Sequence, residues 1–141
     1  MKLKVLLTLL ATVTFSISAV AVEEDTPLTK EMSAMNKNLR LLKRQLADPA
    51  KKADNLTLLE KIKKNLDEAH KLEPTKSKDV VAAEKPAYVE KYKAQIIELG
   101  KAFGELEASL KVDKQEEAKK ALDKIADLKE KGHKDFGVDE C

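Results

Sequence analysis

The chain has 141 residues, 43% hydrophobic and 37% charged, with four Gly, four Pro, one Cys, no Trp and 4% aromatic residues. Charge this dense with so few turn formers and aromatics excludes a β-sandwich, a collagen-like chain and a disulfide scaffold, and the Ala, Glu, Lys and Leu bias predicts one small domain of long helices. The net charge of +2 belongs to Lys2 and Lys4, because residues 1–21 hold no acid and the remainder balances 25 basic against 25 acidic residues.

Residues 1–21 read as a cleaved export signal: Lys2 and Lys4, an apolar run over 5–17, then Ala19-Val20-Ala21 as a small-x-small cleavage site. The run is short and interrupted by Thr and Ser, too little to cross the roughly 30 Å hydrocarbon core. The expectation is an exported domain over residues 22–141 with no membrane attachment after cleavage. Without net positive charge or Trp, that domain lacks the footprint of a general nucleic-acid binder, so no nucleic acid is expected as a partner.

Beyond residue 26, four stretches carry the helical period, separated by breakers, and none shows the alternation of a half-buried strand. Helix 1, over 27–47, opens on Thr26-Pro27, a cap followed by Pro at the first helical position. Its apolar positions Leu28, Met32, Met35, Leu39, Leu42 and Leu46 form one stripe. Asp48-Pro49 ends helix 1 or starts an early turn of helix 2, whose clearer start is Asp54; helix 2, over 54–73, presents Leu56, Leu59, Ile62, Leu66 and Ala69 before Pro74. Residues 75–85 lack a sustained stripe and read as a long loop. Helix 3, over 86–111, takes Pro86 in its first turn and carries Tyr92, Ile96, Leu99, Phe103, Leu106 and Leu110. Helix 4, over 114–136, is expected to open on a capping box with Asp113 as the cap. It carries Ala118, Leu122, Ile125, Leu128 and Phe136, and Gly132 and Gly137 are expected at a fraying end.

None of these helices buries its stripe alone, and short links within the pairs 1–2 and 3–4 favour antiparallel neighbours. The fold class is therefore all-α, an antiparallel up-down-up-down four-helix bundle. That topology brings Met32, about one turn into helix 1, to the same end as His70 and His133, each about one turn from the end of its helix. Met32 lies inside its stripe and His133 at the edge of its own. Singly, a Met on a stripe is core filler and a His in a last turn meets the free carbonyls. Together, a thioether and a neutral imidazole are the pair that ligates haem iron in Met/His cytochromes, and a bundle core supplies a dry slot.

The segment Met32-Ser33-Ala34-Met35-Asn36-Lys37-Asn38-Leu39-Arg40 resembles the early helix-1 motif of the cytochrome b562 family: Met, then an apolar residue, Asn-x-Asn-Leu and a basic residue. The stretch from Glu117-Ala118 to Gly132-His133-Lys134-Asp135-Phe136 is similar in length and spacing to that family's last helix with its ligand His. Ala53-Asp54-Asn55 echoes the start of helix 2. The resemblance implies a small periplasmic electron carrier, not an enzyme, holding one noncovalent b-type haem per chain. Met32 and His133 would be the axial ligands, and Met35, Tyr92, Ile96 and Phe103 would lie in the haem pocket. It further implies a monomer that exchanges single electrons with redox partner proteins. The sequence departs from the family in Gly132 before the histidine, in Lys129 and Lys131 as the nearby cations, and in an extra stretch over 47–52.

Rival readings remain at this level. A haem-free periplasmic bundle serving as a binding or stress-related module needs neither ligand. His70 and His133 could instead form bis-His haem ligation or a Zn or Cu site. No C-x-x-C-H is present, so thioether-attached haem is excluded. Asp67 and Glu130 each precede a histidine by three, giving only one Glu-x-x-His where a di-iron bundle needs two. Cys141 is a lone thiol near the C-terminus, a candidate only for an intermolecular disulfide.

Overall fold

A computed structural model describes residues 26–137. Residues 1–21, where an export signal is expected, and Cys141 lie outside the described residues. Four α-helices, α1 (Pro27–Gln45), α2 (Lys52–His70), α3 (Lys85–Lys111) and α4 (Gln115–Phe136), build an all-α bundle with no strand among the described residues.

Hydrogen bonds between the helices give their directions. Near the start of α1, Glu31 accepts from the Asn65 amide near the end of α2 at 2.8 Å, and at the other end Gln45 donates to Asn55 at 2.9 Å. Lys63 reaches Glu107 at 2.6 Å while the Tyr92 hydroxyl reaches the Ala69 carbonyl at 3.0 Å, so α3 runs against α2. Lys124 pairs with Glu105 at 2.7 Å and Gln95 donates to the Leu128 carbonyl at 3.3 Å, so α4 runs against α3. Chain neighbours pack most extensively, whereas α1 and α4 meet sparsely.

The stripes read from the sequence form the core. Every predicted stripe residue of α1 and α3 is buried. Each fully buried Leu, Ile or Phe contributes about 1.5–3 kcal/mol relative to exposure. In α2, Leu58 is buried and Leu56 only half-buried; in α4, Ala121 is buried where Leu122 and Leu128 are half-buried.

The cap at Thr26 forms as expected, its Oγ1 accepting from the Thr29 amide at 3.2 Å. Other boundaries differ. Asp48 opens a 3-10 turn over Pro49–Lys51 by accepting from the Ala50 amide, and α2 starts directly after it, two residues earlier than the periodicity predicts. The expected loop contains a second 3-10 turn, Thr75–Asp79, with Ser77 buried against the bundle.

The predicted capping box of α4 is absent: Lys114 occupies the cap position and makes no side-chain cap bond. Asp113 instead sits at φ 57, with Lys114 N bonded to Ser109 O and Asp113 N to Leu110 O. That is a Schellman ending of α3, whose left-handed position has claimed the residue expected to cap α4. Gly132 does not fray α4, which continues to Phe136 and ends on Gly137 at φ 60.

Candidate functional site

At the bundle end where α1 begins and α4 finishes lies a largely apolar cavity of about 450 Å³, counting the part open to solvent. From α1 come Met32 and Met35, and from α3 come Tyr92, Gln95, Ile96 and Leu99. The α4 wall is Leu128, Lys129, Gly132, His133 and Phe136.

Met32 and Met35 are buried because they occupy successive positions of the α1 stripe. His133 is half-buried in the last full turn of α4. Tyr92 is held by its hydroxyl bond to Ala69 and by edge-on contact with Phe136, ring centroids 5.4 Å apart. Burial pushes its hydroxyl above the ordinary tyrosine range, keeping it a neutral donor. Tyr88 also packs edge-on against Phe136, ring centroids 5.2 Å apart, and donates to the Asp135 carbonyl at 3.4 Å, further fixing the end of α4. The Lys129 ammonium donates to the side-chain carbonyl of buried Asn36, a link between α4 and α1 beside the cavity.

The structure thus brings Met32, Met35, Tyr92, Ile96 and His133 to one cavity. Phe103 is not among the lining residues; it is completely buried in the core further along α3. Its stripe position guarantees burial but not proximity to the cavity, which stops at Leu99 on that helix. His70 lines a separate surface groove between α2 and α3 with Asp67, Gly100 and Gly104. The two histidines therefore face different depressions, and among the described residues no group of three His, Cys, Asp or Glu could hold a metal ion.

Sequence reasoning missed Gln95 as a cavity residue. The available signal was its position within the α3 stripe, three residues after Tyr92 and four before Leu99, where a polar side chain must be buried.

The family model described as Cytochrome b562 matches residues 27–136. The chain belongs to the cytochrome b562 family. No curated protein and no solved structure gives a significant match. Membership of the cytochrome b562 family implies a haem-binding electron carrier with a b-type haem, and the family is not typically enzymatic. No helix among the described residues is long and apolar enough to cross a membrane. The donor chemistry of the cavity fits the implied group: the thioethers of Met32 and Met35 from α1 and the imidazole of His133 from α4 line the same largely apolar space.

Proposed function

We propose that this protein is a periplasmic one-electron carrier holding one noncovalent b-type haem in the cavity, with Met32 and His133 as axial ligands. The observation that carries this reading is that Met32 of α1 and His133 of α4, distant in sequence, line one cavity with apolar walls. A haem bound there supplies a reversible one-electron iron couple.

The protein's own groups set the conditions. Met32 and His133 would together hold the iron and leave no position for a substrate, which suits a carrier rather than an enzyme. Such a ligand pair would raise the potential of a bound haem, and the apolar walls of Met35, Ile96, Leu99 and Phe136 would disfavour the extra positive charge of its oxidised state. Tyr92 and Lys129 have their polar groups engaged by Ala69 and Asn36, so they brace the walls. The exposed surface mixes Lys with Asp and Glu, which suits brief, salt-sensitive encounters of a monomer with redox partner proteins.

The test is a haem titration of the purified protein, followed by oxidised and reduced visible spectra of wild type, Met32→Ala, His133→Ala and His70→Ala. One haem should bind per chain with a low-spin spectrum. The first two variants should lose that spectrum, and His70→Ala should leave it unchanged. A wild type that stays colourless, or a spectrum that follows His70 and ignores Met32, would overturn the assignment.

A further inference from the structure

Glycine is the weakest ordinary residue for a helix interior, and here one sits immediately before the candidate ligand His133, within α4. That turn nevertheless remains helical to Phe136. The Gln95 side chain, from the middle of the neighbouring α3 and only 8% exposed, donates its amide to the Leu128 carbonyl at 3.3 Å. In a regular helix that carbonyl also accepts from the Gly132 amide, so the glutamine engages the same backbone turn that the glycine loosens. A Cβ built on Gly132 meets the Gln95 amide nitrogen at 3.8 Å, so the two residues are neighbours across the helix interface.

We propose that Gln95 is the positioning residue for His133: its bond to Leu128 holds the glycine-weakened turn of α4 in register, so that the imidazole is presented to the cavity in one orientation. This rests on the reading of His133 as a haem ligand. Tyr88, Tyr92 and Lys129 also hold α4, through the Asp135 carbonyl, the Phe136 ring and Asn36, whereas Gln95 bonds the backbone of the turn that leads into His133. Burying an amide there is favourable only because the carbonyl satisfies it. The bond ties α4 to α3, whose own place is fixed by Tyr92 on Ala69 and by Phe103 in the core. Gln95 touches the backbone that carries the ligand and acts through it.

The experiment compares wild type, Gln95→Leu and Gln95→Leu/Gly132→Ala. Leucine keeps the bulk and removes the donor, and alanine at position 132 makes only ordinary van der Waals contact while restoring helix propensity. In the haem-free protein, Gln95→Leu should speed amide hydrogen exchange over residues 129–136 by about 3- to 10-fold, the effect of one lost hydrogen bond, with α1 and α2 unaffected. Haem affinity should fall by a similar factor and a high-spin component should appear in the spectrum. The double variant should recover slow exchange, affinity and the low-spin spectrum. A wild type that binds haem while Gln95→Leu matches it in exchange and spectrum overturns the role of Gln95 alone. Exchange that rises equally in all four helices also overturns it, because the residue is then ordinary packing. A wild type that binds no haem overturns the ligand reading and this proposal together.

Discussion

The Tyr92 hydroxyl donates to the Ala69 carbonyl at 3.0 Å, while the Tyr92 ring stands edge-on to Phe136 at 5.4 Å. One side chain of α3 therefore ties the last turn of α2 to the last turn of α4, at the end of the bundle that holds the cavity. Ala69 O also accepts from the Leu72 amide at 3.1 Å. Tyr92→Phe thus leaves no buried carbonyl unsatisfied and should cost about 1 kcal/mol. A lower urea midpoint with an unchanged slope is the expected result; an unmoved midpoint would show that the hydroxyl contributes nothing to stability.

Phe103 separates core from cavity. It is fully buried yet does not line the cavity, so Phe103→Leu should lower the unfolding free energy by about 1 kcal/mol through imperfect packing and leave the haem spectrum as in wild type. Denaturation and visible spectroscopy on the same sample decide this. A changed spectrum would place Phe103 in contact with the cofactor.

Asp113 holds the left-handed position of a Schellman ending, at φ 57, where a Cβ is penalised. Its carboxylate bonds Lys52 at 2.9 Å, but that pair is largely exposed and contributes little. Asp113→Gly should therefore raise stability by about 0.5 kcal/mol, the relieved backbone outweighing the lost ion pair. Thermal melts at low and high salt separate the two contributions, and a lower melting temperature at high salt, where the ion pair is screened, would contradict the backbone account.

Glu107, half-buried, accepts from Lys111 at 2.7 Å and from Lys63 at 2.6 Å, and these hydrogen bonds hold its carboxyl below the usual glutamate range. Because the folded value is the lower one, the stabilisation is present above the unfolded value of about 4.3 and is lost as pH falls through the folded one. Stability should decline on acidification from that point, and Glu107→Gln should flatten the decline. Urea midpoints measured from neutral pH downward test the sign; parallel curves for the two proteins would assign the acid sensitivity elsewhere.

Much of this was legible before folding. The stripes of α1 and α3 predicted which side chains are buried because a 3.6-residue period is a local property of the chain. Thr26-Pro27 and Pro86 marked helix starts for the same reason. Asp113 misled, since a capping signature and a left-handed helix ending draw on the same short polar residues, and only the path of the connection from α3 selects between them. Ala121 is buried and Leu122 only half-buried, so the seam of α4 falls one position before the predicted stripe there, a rotation that the helix's own period does not set.

Local sequence determined four helices, their apolar faces, and Met32 and His133 as the unusual donors at the ends of the first and last of them. Tertiary packing alone decided that these two donors share a cavity while His70 opens onto another groove, that Phe103 belongs to the core, and that Gln95 is buried against α4. The reason is rotational. A helix sequence fixes the angles among its own side chains, but the direction in which the whole cylinder points is set by the shapes of the neighbours against which it packs.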